Sequence, residues 1–105
     1  MTDVIGTLAI GGTVRVPVEN IEALKPHMLT MLAASRAEDG CVVYSYGWDV
    51  AEPGMIRVFE IWRDRPALTA HAKSAHMAQW RAAGAALGVA DRQLVLYEVA
   101  GQNPL

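Results

Sequence analysis

The segments Cys41 to Val50 and Met55 to Arg63 are apolar on both faces, and this limits the fold more than any other feature of the chain. Ala51-Glu-Pro-Gly54 lies between them, and its Pro-Gly pair signals a tight turn, so the two strands are expected to form a hairpin. Along the first, Val42, Tyr44, Tyr46 and Trp48 should point one way, with Cys41 and Val43 pointing the other. Along the second, Ile56, Val58 and Trp62 oppose Met55, Phe59 and Ile61. A sheet with one wet face would alternate more cleanly. Two covers are therefore expected: helices on one face, and on the other a second copy of the chain, packed sheet against sheet in a two-fold homodimer.

The flanking sequence supplies the helices. Val4 to Val16 is rich in β-branched residues and threonine and reads as a long first strand, with a bulge or bend at Gly11-Gly12. From Val18 to Ala37, Ile21, Leu24, Met28, Met31 and Leu32 recur at helical spacing. Pro26 falls inside that pattern, which predicts a late helix start or a kink near Glu22 to Lys25, and Gly40 ends the helix in a positive-φ conformation. After the hairpin, Asp64 is a helix cap with Pro66 in the first turn, and Leu68, His71 and Ala72 share one face. Ser74 caps a second helix carrying Met77, Trp80, Gly84 and Leu87, which Gly88 terminates. Asp91 to Val99 is the last strand. The order βαββαβ predicts an α+β, ferredoxin-like domain with an antiparallel four-stranded sheet over residues 1–100, and a tail over 101–105.

Composition removes several function classes. A chain of 105 residues has the size of one domain, and a net charge of −2 with scattered lysine and arginine leaves no footprint for nucleic acid. No apolar run reaches the roughly 18 residues of a membrane span, and the first residues do not read as a secretion signal. Cys41 is the only cysteine, which excludes an intrachain disulfide and fits a reducing cytoplasm. Without a flanking base it reads as a small apolar residue.

Three groups of residues, Glu38-Asp-Gly-Cys41 with Tyr44, Glu60-x-Trp62, and Leu68-x-x-His71 followed by Ser74-x-His76-Met77, closely resemble the antibiotic biosynthesis monooxygenase family of dimeric α+β barrel proteins. Ala75 departs from the proline common before the second histidine. The resemblance implies the architecture and leaves the reaction open, because the family includes cofactor-free quinol and anthrone oxygenases, haem-degrading enzymes and a phospho-sugar signal isomerase. The haem-degrading triad is not reproduced: Gly6 or Thr7 stands where its first-strand asparagine would be, and His71 near the place of its tryptophan.

Cofactor-free oxygenation needs an apolar pocket with aromatic walls, a base that titrates near neutrality and a donor for the developing oxyanion. His71 is the candidate acid/base, with a structural histidine under the helix as the alternative. Tyr44, Tyr46, Trp48, Trp62 and Trp80 are candidate substrate walls and donors. His76 is a capping or orienting group that would border the substrate, and His27 sits at the margin of the first helix's apolar face. Glu60 is either a pocket carboxylate or half of an ion pair with Arg57, Arg63 or a dimer mate, the ion pair being favoured. His71 and His76 are five positions apart with a helix break between them, so no metal is expected, nor any other cofactor. The expected function is monooxygenation of a small aromatic or quinol-type compound. Its alternatives are isomerisation or tautomerisation of a small carbonyl compound, and a non-catalytic binding dimer.

Overall fold

The computed structural model describes residues 6–105. Its elements are β1 (Leu8–Arg15), α1 (Ile21–Arg36), β2 (Cys41–Trp48), β3 (Met55–Trp62), α2 (Arg65–Ala72), α3 (Ala75–Ala86) and β4 (Ala90–Glu98), with a 3-10 turn at Val18–Asn20. The strands form one antiparallel sheet in the order β2-β3-β1-β4. This is the ferredoxin-like arrangement, with the second helical segment split in two. Val4 and Ile5 of the expected first strand lie outside the described residues.

One face of the sheet carries the core. Leu8, Val14, Tyr44, Ile56, Val58 and Trp62 pack against Leu24, Met28, Met31 and Leu32 of α1, with Ala67 and Trp80 closing the cluster. Trp62, Leu24, Met31 and Ile56 are fully buried, and each such side chain contributes roughly 1.5–3 kcal/mol. The opposite face lies open in the single chain, where Phe59, Val95 and Tyr97 are 48%, 51% and 55% exposed.

Local departures from the sequence reading have identifiable causes. The α-helix proper begins at Ile21 and runs through Pro26. Pro26 is exposed, so the carbonyl it leaves without a helix partner can be met by water. The shift in the β1–β4 pairing falls between Thr13 and Arg15, beyond the expected Gly11-Gly12. Gly12 serves another purpose: at φ +148 its missing side chain makes room for the Gln93 carbonyl of β4, 1.9 Å from where a Cβ would stand. A second shift, between Cys41 and Val43, pairs Cys41 with Trp62. Cys41 therefore packs against the core side, whereas simple alternation placed it on the other face.

Candidate active site

A cavity of about 450 Å³ lies between the helices α2 and α3 and the inner face of the sheet. It exists because α3 packs on α1, leaving Leu94 only half-buried and Leu96 38% exposed on β4. Ile10, Leu68, Met77, Trp80 and Leu94 give the cavity apolar walls. Tyr46, Glu60, His71, Arg81 and Arg92 are its polar and charged side chains.

His71 reaches the cavity because α2 starts where it does. Asp64 Oδ1 accepts from the backbone N–H of Ala67 at 2.9 Å, and Pro66 occupies the first turn, which fixes the helix rotation. The imidazole is buried, tilted against Trp62 at 4.5 Å between ring centroids and edge-on to Tyr44 at 5.1 Å. Nδ1 lies 2.6 Å from Glu38 Oε2. Glu38 comes from the turn between α1 and β2, where its N–H donates to the Ser35 carbonyl and its own carbonyl accepts from Cys41. Gly40, at φ +84 and tight against Ala67, lets that turn close beside α2.

The same carboxylate oxygen meets His76 Nε2 at 3.0 Å. Hydrogen-bond bookkeeping assigns the protons. Ser74 Oγ gives its one proton to the His71 carbonyl at 2.7 Å, so its 3.2 Å contact with His76 makes His76 Nε2 the donor. Glu38 Oε2 then accepts from His71 Nδ1–H and shares the single His76 Nε2–H with Ser74 Oγ. Nε2 of His71 is left without a hydrogen-bond partner among the described residues and is the nitrogen that can act on a cavity ligand.

Glu60 is buried and accepts from Trp62 Nε1 at 2.9 Å. Burial raises its pKa above the ordinary 4.5, with the Trp62 bond opposing. The ion pair expected with Arg57 or Arg63 is absent among the described residues: Arg57 stands on the other face of β3 and is taken by Asp49 at 2.7 Å, and Arg63 is taken by Asp39 at 3.1 Å and by Asp64. Glu60 instead lines the cavity. Burial likewise raises the pKa of Tyr44 and of Tyr46, whose hydroxyls lie 3.3 Å apart, so both stay protonated as donors at neutral pH.

The sequence profile of the family described as antibiotic biosynthesis monooxygenase matches residues 7–83. The chain belongs to this family. A Deinococcus radiodurans protein assigned to the antibiotic biosynthesis monooxygenases is 26% identical and superposes with a TM-score of 0.85, covering 93% of this chain and 97% of that one. Rv0793 from Mycobacterium tuberculosis is 26% identical with a TM-score of 0.71, covering 92% and 96%. An uncharacterized protein of Synechocystis, sll1783, is 26% identical over 98 residues, which span 93% of this chain and 67% of the relative.

In this monooxygenase-family chain the cavity gathers His71, Tyr46, Glu60 and Trp80 of the expected site. Tyr44 and Trp62 stand behind His71 as supports rather than as lining. Trp48 shares their strand face by register but lies beyond the helical cover at the end of β2, 37% exposed and outside the cavity. His76 is also outside it, beside a small cleft shared with His27. Sequence reasoning assigned no role to Glu38, Arg81 or Arg92. Glu38 was visible within its Glu-Asp-Gly motif; nothing local marked the arginines. The helix break that argued against shared ligation brings the two imidazoles to 6.0 Å. Glu38, His71 and His76 offer three potential metal-ligand atoms within 4.8 Å of one another, and all three side chains are engaged in the hydrogen-bond network.

Proposed function

We propose that this protein is a cofactor-independent monooxygenase of a small aromatic or quinol-type compound, with His71 as its base. The observation that carries this reading is a buried imidazole, tied at Nδ1 to Glu38, on the wall of an aromatic-edged apolar cavity. Nε2 takes a proton from a phenolic or benzylic position, and the carboxylate beside Nδ1 stabilises the imidazolium that forms. The substrate anion passes an electron to oxygen, and the two radicals combine. One oxygen atom enters the substrate and the other leaves as water with two hydrogens from the substrate. Tyr46, kept protonated by burial, donates to the developing oxyanion.

A homodimer through the open sheet face and a cytoplasmic location belong to the same reading. The exposed Phe59, Val95 and Tyr97 support the first; the lone Cys41 and the lack, among the described residues, of a helix long and apolar enough to cross a membrane accord with the second.

The test is oxygen uptake with a panel of hydroquinones and anthrones. His71→Ala should lower turnover at least about a hundredfold. Unchanged turnover rejects the base assignment, and His71-dependent turnover without oxygen assigns an isomerase instead.

A further inference from the structure

Arg92 stands on β4 two residues before Leu94, where the β1–β4 pairing shifts, and though exposed it lines the cavity with Leu94 and Leu96. No carboxylate among the described residues pairs with it. Its neighbour Asp91 is taken by Arg15 at 3.3 Å and accepts from Gln93 at 3.1 Å. Arg92 nevertheless acts on the interior, where its positive charge opposes the effect of burial on both Tyr46 and Glu60. Arg81, the other cavity cation, is held by a 3.0 Å bond from Nη2 to the Ala72 carbonyl, next to His71.

The strand register gives a distance. Leu96 pairs with Ile10, and Ile10 pairs with Glu60, so these three lie level across the sheet. Arg92 is four residues away along β4, about 13 Å at the rise of an extended strand. The cavity therefore has a chemical axis: Glu60 toward one end, an unpaired guanidinium toward the other, and apolar wall between. Glu60 is the sole acid on its described wall and is engaged by Trp62 Nε1, so the Arg92 end is free to receive negative charge.

We propose that Arg92 anchors an oxyanion substituent, a carboxylate or a phosphate, of an aromatic substrate whose ring lies along the apolar wall toward His71. This rests on the reading of the cavity as the substrate site, but not on the reaction being an oxygenation. A guanidinium offers two parallel N–H donors to either oxyanion, and binding gives Arg92 a partner that no carboxylate among the described residues supplies.

Calorimetric titration of 2-naphthol, 2-naphthoate and 2-naphthyl phosphate tests the proposal without turnover. At least one anion should bind at least about tenfold more tightly than the neutral naphthol, and comparing the two anions identifies the oxyanion. Arg92→Gln should abolish that preference and leave naphthol binding unchanged; Arg65→Gln, a change outside the cavity, should preserve it. Equal affinities, no binding by any of the three, or a preference that survives Arg92→Gln or disappears only in Arg81→Gln would overturn the proposal. Lack of oxygen uptake with anionic binding intact would sink the oxygenase reading alone.

Discussion

Glu38 Oε2 lies 2.6 Å from Nδ1 of His71, a contact between residues 33 positions apart that joins the turn after α1 to the last turn of α2. Its consequence is electrostatic as well as geometric. Glu38→Gln can still accept from Nδ1–H, so the ring keeps its place, but the imidazolium formed during turnover loses an adjacent negative charge. Two unit charges about 4 Å apart at a partly screened site interact by about 4 kcal/mol. The expected result is a fall in kcat of about a hundredfold or more with KM little changed, measured by steady-state kinetics on whichever substrate supports turnover. Equal kcat in Glu38→Gln and the parent would remove the carboxylate from the mechanism.

Glu60 makes a pH-dependent prediction of defined sign. Its folded pKa is raised by burial, so the native state holds this proton more tightly than the unfolded chain does. Stability from this group is fully present below the unfolded value near 4.5 and is lost as pH rises through the folded one. Glu60→Gln keeps an acceptor for Trp62 Nε1 and removes the titration. The variant should therefore gain in urea midpoint relative to the parent at pH 7, and the gain should shrink toward pH 4. A gain that is the same at both pH values contradicts the burial argument.

The contrast between Glu60 and Asp64 shows how far the residues could be read in order. Asp64 acts within its own helix turn, so its capping role followed from Asp64-Arg-Pro66, as did that of Ser74. The strand faces followed from alternation, apart from Cys41, where an extra residue in β2 shifts the pairing. Glu60 depended on which carboxylates its neighbouring arginines choose, and Asp49 and Asp39 come from two separate loops. Glu38 and the two histidines meet only when α1, α2 and α3 are assembled. Contacts set by sequence neighbours were legible; those set by three-dimensional competition among charges were not.

Gly12 should be intolerant of any side chain. A Cβ there would stand 1.9 Å from the Gln93 carbonyl oxygen, on a backbone with φ +148, and neither backbone can yield without breaking the β1–β4 pairing. Gly12→Ala is expected to cost at least about 2 kcal/mol, read from chemical denaturation. Gly47→Ala is the matched control, because nothing lies within 4 Å of its Cβ position, and it should fall within about 0.5 kcal/mol of the parent.

The open sheet face makes the last prediction. Gly11 pairs with Phe59 on one side and Val95 on the other, and Ala9 pairs with Ile61 and Tyr97. Two adjacent apolar rows thus cross three strands, with small residues in the middle and large ones flanking them, a shape that a twin surface can fill. If a second copy covers it, Phe59→Glu combined with Tyr97→Glu puts unpaired carboxylates into a dry interface. Sedimentation should then show at least about a hundredfold weaker dimerisation, about 2.7 kcal/mol, while circular dichroism shows the strands and helices retained. A dimer of unchanged strength in the double variant would place the contact elsewhere, and a parent chain that sediments as a monomer at micromolar concentration would leave these rows facing water.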